Sequence, residues 1–310
     1  MLKLDSLWCE KYRPSVLDDI ILSKSNRSII EKFYQDTQIP NLLFIGNAGI
    51  GKTSLAKILV KDALKCQYLY INASDENGID TIRTKVTNFS KVKSIDGNIK
   101  VIILDEVDGL TLDAQRALRN TMEEYSEYTR FILTANYNHK VIPPLQSRCQ
   151  TLDLVPPVEL CFERVKHILQ SENVTIDDED KLQELVRNLY PDLRKTINEI
   201  QKSCIDGKLS INSTKNNLII VKALFELVKT NKILKARKFI IQNEHKFNGD
   251  YNQLLKELFN YIDDVDKLPD KSMCLLTVSE YMYRMAFVID SEINFYSCLI
   301  QLSKHLFKTR

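Results

Sequence analysis

In the first half of the chain, short apolar runs alternate with a segment whose apolar residues recur at helical spacing. The runs are residues 41–45, 101–104 and 130–134. Apolar runs of this length, bounded by polar or turn residues, are typical of buried strands in a parallel sheet. Residues 54–65 follow the first run and place their apolar side chains on one helical face. The pattern predicts an α/β fold built on a parallel sheet with flanking helices.

The second half of the chain predicts helices only. Pro156 and Pro157 interrupt regular structure, and three helical patterns follow, at residues 158–169, 181–189 and up to about Cys204. Another break is expected at residues 206–207 and 212–214. From Leu218 onward the apolar spacing is helical throughout. We therefore predict an α/β domain over 1–152, a small helical lid over 153–210 and an all-α domain over 211–310.

The charge balance limits how the protein can contact nucleic acid. Among 310 residues there are 43 Lys and Arg against 41 Asp and Glu, a net charge of +2. A globally basic binding tail is excluded, so any basic track must be local. The hydrophobic fraction of 44% is ordinary for a globular protein.

The cysteines and the absence of long apolar runs point to a cytoplasmic protein. Seven cysteines are spread from Cys9 to Cys298 without a Cys-x-x-Cys pair. This argues against a disulfide framework or a zinc site and for a reducing compartment. No run approaches the roughly 20 apolar residues of a membrane span. The N-terminal residues show no secretory signal pattern, so we expect no membrane partner.

Glycine clustering gives the first indication of chemistry. The chain has eight glycines, of which three lie within residues 46–51. Residues 46–53 match G-x-x-x-x-G-K-[ST] at every fixed position, between a predicted strand and a predicted helix. The competing interpretation is a chance match in an ordinary βα turn. In a P-loop, Lys52 reaches the phosphates of ATP and assists catalysis, and Thr53 ligates Mg²⁺. The candidate nucleotide-binding residues are Gly46, Asn47, Ala48, Gly49, Ile50, Gly51, Lys52, Thr53 and Ser54.

Polar residues also end the other two predicted strands. Asp105 and Glu106 follow residues 101–104, and Asn136 follows residues 130–134. Parallel sheets bind ligands at the carboxyl ends of their strands. We expect Asp105 to hold Mg²⁺, Glu106 to polarise the attacking water and Asn136 to hold that water or contact the γ-phosphate. The alternatives are an acidic turn at Asp105 and Glu106 and a turn residue at Asn136.

Several motifs, in order along the chain, resemble those of sliding-clamp loader ATPase subunits, the replication factor C type of AAA+ protein. They are WCEKYRP (8–14), NASDENGID (72–80), DEVD (105–108), AQRALRNTME (114–123), SRC (147–149) and PDLRKT (191–196). The resemblance covers residues 7–205. It is greatest to the large subunit of T-even-type phage clamp loaders, with archaeal and eukaryotic small subunits next. The resemblance implies an AAA+ domain, a lid and a helical collar.

The resemblance also implies roles for further residues. Tyr12, Arg13 and Pro14 would lie near the adenine and ribose of ATP. Arg148, in the Ser-Arg-Cys motif, would reach the γ-phosphate held by a neighbouring subunit, and Arg194 would contact it from the lid of the same subunit. The structural alternatives are packing of an N-terminal arm for Tyr12, a surface arginine at 148 and a solvated helix face at 194.

DNA contacts are implied for two helices of the α/β domain. Ile79 opens a helix whose amides would meet a phosphate, and Arg83 follows it. Arg116 and Arg119 lie three residues apart on the central helix. Repeated in a spiral of subunits, these residues would follow the DNA backbone without reading its sequence. For Arg116 a structural ion pair is the alternative. Gln115 is a candidate for coupling this helix to a neighbouring nucleotide site.

The chain departs from the family pattern at Asn77, where relatives often carry a basic residue. In the family, that residue is thought to restrain the catalytic glutamate until DNA arrives. An asparagine can still hydrogen-bond a carboxylate. The restraint on Glu106 is therefore expected from Asn77 in weaker form, or from Asn72.

Together these observations predict an ATPase subunit that opens a ring clamp and loads it onto primer–template DNA. The implied assembly is a pentamer with a distinct partner subunit. The candidate clamp-binding surface is the helix over residues 110–124 or the neighbouring exposed face of the N-terminal domain. One alternative is a AAA+ DNA motor or helicase loader. Another is a nucleotide-gated scaffold that does not hydrolyse ATP. A phage origin agrees with the resemblance.

Overall fold

The computed structural model describes residues 7–92, 99–205, 207–209, 214–244, 247 and 249–306. Two compact units make up the chain, Met1–Ser210 and Ile211–Arg310. Of the break expected at 206–207 and 212–214, positions 206, 212 and 213 lie outside the described residues. The three-part division of the chain stays a prediction.

The first unit is built on a five-stranded sheet of parallel neighbours in the order β2-β3-β4-β1-β5. The strands are β1 Leu42–Ile45, β2 Tyr68–Asn72, β3 Lys100–Asp105, β4 Thr129–Ala135 and β5 Gln150–Asp153. The three predicted strands are present as β1, β3 and β4. Helices cover both faces of the sheet because alternate side chains of each central strand point to opposite sides. Phe44 belongs to the core on one face and Leu43 to the core on the other.

The helices of the α/β part follow the strands in the expected alternation. They are α1 Trp8–Lys11, α2 Lys24–Asp36, α3 Lys52–Ile58, α4 Ile79–Thr81, α5 Thr87–Lys91, α6 Leu112–Glu124 and α7 Pro143–Gln146. The helix predicted over 54–65 changes to π-helical geometry at Leu59–Leu64, and α4 joins α5 through a π-helical turn at Ile82–Val86. Ser23 and Thr111 cap α2 and α6 with their side-chain oxygens.

The lid consists of α8 Val158–Ser171, α9 Glu179–Leu189 and α10 Leu193–Ser203. The short strands β6 Cys204–Ile205 and β7 Lys208–Leu209 follow and pair antiparallel. Pro157 is the N-cap of α8, which is why the helical pattern begins directly after the proline pair. The aspartates Asp178 and Asp192 cap α9 and α10.

The second unit is helical in its described residues. It contains α11 Thr214–Lys229, α12 Ile233–Asn243, α13 Tyr251–Asp264, α14 Lys271–Arg284 and α15 Ser291–Leu306. Phe225, Leu254, Val278 and Phe295 are among the side chains that form its core. The helix expected over 273–287 ends earlier, because residues 285–287 form a turn after Arg284.

Candidate functional site

The polar groups predicted from separate parts of the sequence meet at one edge of the sheet. The glycine-rich loop follows β1, Asp105 ends β3, and Asn136 follows β4. These three strands are neighbours in the order β3-β4-β1 and run parallel. Their carboxyl ends therefore place the loop, the carboxylate and the amide side by side, where parallel sheets bind ligands.

The glycine-rich loop has a backbone that favours glycine at three positions, the first of which is Gly46 with φ 140°. Gly49 has φ 79° and Gly51, the N-cap of α3, has φ 97°. Both values lie in the left-handed region, where a β-carbon is strained. The loop thereby turns directly into α3 and leaves the first amides of that helix without side-chain caps. Such a turn is suited to an anionic group.

Lys52 is buried, with 7% of its surface exposed. Its Nζ donates hydrogen bonds to the carbonyl oxygens of Gly46 at 2.6 Å and Asn47 at 2.7 Å, and to Asn136 Oδ1 at 2.7 Å. Burial lowers the pKa of the ammonium to about 8, although the nearby Asp105 carboxylate opposes this shift. Asn136 is thus brought to the P-loop lysine, and a buried ammonium lies at the centre of the site.

Hydroxyl groups surround the Asp105 carboxylate. Thr53 Oγ1 lies 2.8 Å from both Oδ1 and Oδ2, Thr134 Oγ1 donates to Oδ1 at 2.6 Å, and the Tyr70 hydroxyl donates to Oδ2 at 2.9 Å. Thr53 and Asp105 were expected to share Mg²⁺, whereas Thr134 and Tyr70 belong to no sequence motif and were not predicted. Both occupy strands next to β3, and only the strand order shows that their hydroxyls reach Asp105.

Glu106 has an unusual backbone conformation and a side-chain partner that the sequence analysis did not expect. Its φ of 58° and ψ of 47° lie in the left-handed region, which costs about 1–3 kcal/mol for a residue with a side chain. Its amide donates to Thr134 Oγ1 at 3.0 Å, and its Oε2 accepts from Ser74 Oγ at 2.6 Å. Asn72, one of the two expected restraints, donates its amide to Asp75 Oδ2 instead, at 2.6 Å.

Asn77, the other expected restraint, takes part in a backbone interaction. Its carbonyl oxygen accepts from the amide of Thr111 at 3.2 Å. Within the described residues, Ser74 is the side chain that hydrogen-bonds the Glu106 carboxylate.

Two adjoining clefts open at this sheet edge. The first, of about 430 Å³, contains the P-loop and the polar groups around it. It is lined by Arg13, Ala48, Gly49, Gly51, Lys52, Thr53, Ser54, Asp105, Glu106, Thr134, Asn136 and Arg194. The second, of about 650 Å³, shares Arg13, Gly49, Gly51, Ser54 and Arg194 with the first and adds Tyr12, Pro14, Ile50 and lid residues. Of the predicted nucleotide residues, Gly46 and Asn47 are not in either lining and instead hold Lys52.

The N-terminal segment is joined to the lid by Tyr12. The hydroxyl of Tyr12 and Nζ of Lys11 each lie 2.6 Å from Glu172 Oε1, just after α8. The Lys11 hydrogen bond, followed by that of Tyr12, lowers the pKa of the Glu172 carboxyl. Burial, with a contribution from Glu172, raises the pKa of the Tyr12 phenol. Tyr12 therefore lines the larger cleft, and its hydroxyl anchors it to the lid.

Arg148 lies away from both clefts. It follows α7 and is not among the residues that line either one. Its guanidinium donates to the Pro144 carbonyl oxygen at 2.7 Å and pairs with the Glu123 carboxylate. The side chain remains one-third exposed.

The candidate DNA-binding residues lie on two helical segments that pack against each other, α4 with the π-helical turn after it and α6. Arg83 and Arg116 are exposed, and Ile79 and Arg119 are partly exposed. Arg116 pairs with Asp113 at 3.0 Å, which is the ion pair weighed as its alternative, and Arg119 bonds the Asn120 side chain at 2.7 Å. Both pairs are solvent-exposed and offer little resistance to a competing phosphate.

Gln115 is 1% exposed and connects α6 to the segment before α7. Its amide nitrogen donates to the carbonyl oxygens of Leu110 and Lys140, and its Oε1 accepts from the amide of Ile142 at 2.9 Å. It reaches no other site residue in the described chain. The bonds place it between the helix with the candidate DNA residues and the segment that leads to Arg148.

The residues present fit a Mg²⁺–nucleotide. Mg²⁺ usually binds through one or two carboxylates, waters and the phosphates of its substrate, and the carboxylate of Asp105 lies beside the Thr53 hydroxyl. In the part of the chain that the structure describes, no three His, Cys, Asp or Glu side chains form a metal-binding group. Among the same residues, no helix is long and apolar enough to span a membrane.

Comparisons with protein families match the two parts of the first unit separately. Residues 42–157 match the ATPase family associated with various cellular activities (AAA). Residues 158–211 match the AAA+ ATPase lid domain of the sliding-clamp-loader large subunit.

Curated relatives match over nearly the whole chain. A replication factor C small subunit of Sulfurisphaera tokodaii is 35% identical over 97% of this chain and 96% of its own length. That of Methanothermobacter thermautotrophicus is 31% identical over 98% of this chain and 100% of its own. The replication factor C small subunit of Staphylothermus marinus is 34% identical over 96% of this chain and 94% of its own length.

A solved structure shows the same fold in a more distant protein. A variant of RuvB from Thermotoga maritima superposes with a TM-score of 0.53 at 17% identity, covering 91% of this chain and 90% of that one. At this identity the likeness shows the fold alone. The greater closeness to phage subunits stays a prediction.

Proposed function

The chain belongs to the family of replication factor C small subunits and is an ATPase subunit of a sliding-clamp loader, and from that premise we propose how its residues bind and hydrolyse ATP. The observation that carries the proposal is the meeting of Lys52, Thr53, Asp105, Glu106 and Asn136 at one sheet edge. Arg194 joins them from the lid. These groups supply phosphate binding, metal binding and water activation in one cleft.

ATP is bound across both clefts in this proposal. The phosphates lie in the cleft of Lys52, which has a buried positive charge to neutralise them. Thr53 and Asp105 would hold Mg²⁺, which neutralises charge on the β- and γ-phosphates when bound. The adenosine takes the larger cleft, where Tyr12 and Pro14 offer apolar surfaces and Arg13 lies between the two.

Glu106 is the proposed catalytic base. It accepts a proton from the attacking water, whose oxygen bonds to the γ-phosphorus while the bond to the β–γ bridging oxygen breaks. Asn136 orients the γ-phosphate end of the site, Arg194 contacts it from the lid, and Lys52 stabilises the charge that develops. Arg148 acts on the ATP of the neighbouring subunit, because it lies outside its own clefts and carries an always-charged planar fork.

Ser74 holds Glu106 before DNA binds. Its hydroxyl bond to Oε2 occupies a carboxylate oxygen that water activation requires. Ser74 lies between β2 and α4, and α4 opens at the candidate DNA contact Ile79. Movement of this segment on DNA binding would release the carboxylate. Ser74 thereby takes the restraining role that was expected of Asn77 or Asn72.

Stimulation of ATP hydrolysis by DNA and by the clamp is attributed to exposed surfaces of the first unit. Primer–template DNA is contacted by Ile79, Arg83, Arg116 and Arg119, which lie on two packed helical segments. Contacts of this kind position a backbone without reading its sequence. The sliding clamp contacts the helix over residues 110–124, on which Leu112 is an exposed apolar side chain.

The proposed assembly is a pentamer that includes a distinct partner subunit. An arginine that acts in trans requires neighbours, and the helical unit Ile211–Arg310 is proposed as the collar that joins them. Regions 1–152 and 153–210 are the proposed AAA+ domain and lid. We place the protein in the cytoplasm, which agrees with seven free cysteines.

The first test measures ATP hydrolysis by the purified chain alone, with single-stranded DNA and with primer–template DNA, with and without the cognate clamp and partner subunit. Strong stimulation by the primed junction and weak stimulation by single strands are expected. The Glu106→Gln variant is the control, and it should bind ATP but not turn it over.

Other outcomes favour the alternatives. Equal stimulation by any single strand would favour a DNA motor. ATP binding without hydrolysis, even with the partner subunit present, would favour a nucleotide-gated scaffold. Turnover retained by Glu106→Gln would remove the assigned role of that residue.

A further inference from the structure

Tyr70 lies beside the proposed metal site although no P-loop or strand-end motif includes it. It is on β2, and its hydroxyl donates to Asp105 Oδ2 at 2.9 Å. In the sheet register, Tyr70 pairs with Ile103 and Asn72 pairs with Asp105. The carboxylate therefore lies two residues further along, a distance of about 6.6 Å at the rise of a strand. A long side chain that ends in a hydroxyl can cross this gap, whereas serine or threonine cannot.

Each oxygen of the Asp105 carboxylate accepts a hydrogen bond from its own hydroxyl donor, and a third hydroxyl lies within reach of both oxygens. Thr134 Oγ1 holds Oδ1, the Tyr70 hydroxyl holds Oδ2, and Thr53 Oγ1 is 2.8 Å from both. Two carboxylate oxygens offer about four lone-pair positions, and the three hydroxyl protons occupy at most three of them at one time. If Thr53 served as a metal ligand, its hydroxyl proton would point away from the cation and would leave the carboxylate. The bonds from Thr134 and Tyr70 would then be the ones that keep the carboxylate from rotating.

The ring of Tyr70 is itself held in place from the P-loop helix. Nζ of Lys57, on α3, lies 4.1 Å from the ring centroid, a cation–π contact. Lys57 is four residues after Thr53, one helical turn along α3. The ring therefore contacts the same helix that carries the proposed metal ligand Thr53, and its hydroxyl contacts the other proposed ligand, Asp105.

We propose that Tyr70 is a positioning residue for the Mg²⁺ site, fixing the Asp105 carboxylate in the orientation that receives the cation. The inference rests on the proposed function, because it takes Asp105 and Thr53 as the metal-binding pair. Groups that hydrogen-bond a metal ligand change metal affinity by about 10- to 100-fold when they are lost. The partly exposed position of Tyr70 favours the lower end of this range.

The chain offers a matched control on the same strand. Tyr68 precedes Tyr70 by two residues, shares its face of β2 and is equally exposed, at 37%. No hydrogen bond of the Tyr68 hydroxyl is found among the described residues. Tyr70→Phe keeps the ring over Lys57 and removes only the hydroxyl, and Tyr68→Phe removes a hydroxyl with no contact to Asp105.

The experiment measures metal binding rather than turnover. The full chain is saturated with a non-hydrolysable ATP analogue, and Mn²⁺ is titrated in while the free ion is followed by electron paramagnetic resonance. Competition with Mg²⁺ gives the Mg²⁺ affinity. Tyr70→Phe is expected to weaken Mn²⁺ and Mg²⁺ binding about tenfold, with unchanged analogue affinity in EDTA and unchanged melting temperature. Tyr68→Phe is expected to match the wild type.

Two results would overturn the assignment. One is wild-type metal affinity in Tyr70→Phe, and the other is an equal loss of analogue affinity in EDTA, which would show a general structural role. Failure of the proposed function is separable, because the wild-type chain would then bind no metal in the presence of the analogue.

Discussion

The backbone of Gly49 lies so close to the Asp192 carboxylate that a β-carbon at position 49 would overlap it. The carboxylate is fixed, since Asp192 Oδ1 accepts the amide of Lys195 at 2.9 Å as the N-cap of α10. A β-carbon at position 49 would also lie 3.2 Å from Cβ of Arg194. The P-loop and the lid thus meet at a contact that glycine alone permits, next to the arginine proposed to contact the γ-phosphate.

We expect Gly49→Ala to destabilise the protein and weaken ATP binding. Alanine in the left-handed conformation costs about 1–2 kcal/mol, and displacement of Asp192 from its cap adds about 1 kcal/mol. Denaturant unfolding and nucleotide titration measure the two effects. Gly78→Ala is the control, because its φ of −81° is ordinary and a β-carbon there meets nothing within 4 Å. Equal stability of the two variants would contradict the expected contact.

Ser74→Ala is expected to raise ATP hydrolysis in the absence of DNA. A hydrogen bond to a charged group contributes about 1.5–3 kcal/mol, and partial exposure of this pair lowers the expected gain to about three- to tenfold in rate. The rate with primer–template DNA should change little, so the stimulation ratio falls. Asn77→Ala is the control, since that residue contributes a backbone carbonyl bond that the variant retains. A fall in the basal rate would show that Ser74 aligns Glu106 for catalysis instead.

Arg148→Ala is expected to leave ATP affinity intact and to reduce DNA-stimulated hydrolysis by about a hundredfold or more. Arg148→Lys should restore little, because lysine lacks the planar fork. Mixing Arg148→Ala with Glu106→Gln subunits tests action in trans. Neighbouring pairs that combine an intact Glu106 with an intact Arg148 recover part of the activity, whereas an arginine acting in its own subunit would give no recovery.

Glu172→Gln is expected to lower the melting temperature in a pH-dependent way. The folded pKa of Glu172 lies below its usual 4.5, chiefly through the Lys11 hydrogen bond. The contribution of the Glu172 carboxylate to folding stability is therefore fully present above about pH 4.5. It is lost as the pH falls through the lower pKa that this carboxyl has in the folded state. The melting temperatures of the wild type and Glu172→Gln should differ by a constant amount from pH 8 to 5, and the two values should converge below that range.

The pKa values of Lys11 and Tyr12 are raised and lie at alkaline pH, so their own titration does not enter this range. Glu199→Gln, which breaks the exposed pair with Lys202, is the control and should leave the melting temperature unchanged. A difference between Glu172→Gln and the wild type that persists unchanged below pH 4 would contradict the role of the Glu172 carboxylate.

The sequence predicted elements well where one residue pattern was repeated and buried. β1, β3 and β4 are central strands whose apolar runs are covered on both faces. β5 was not predicted, because it is an edge strand on which Leu152 is the one buried side chain. The π-helical segment at Leu59–Leu64 was also beyond prediction, since its apolar spacing differs little from that of an α-helix.

The P-loop, the acidic pair at 105 and 106 and the family resemblance could be predicted from the sequence, because these depend on neighbouring residues in fixed order. The contacts of Lys52 with Asn136, 84 residues away, and of Thr53 with Asp105, 52 residues away, arise only when the chain folds. Folding also brings Tyr70 and Thr134 to Asp105 and Ser74 to Glu106. The physical reason is that strand order and side-chain reach decide such contacts, and neither is encoded in local spacing.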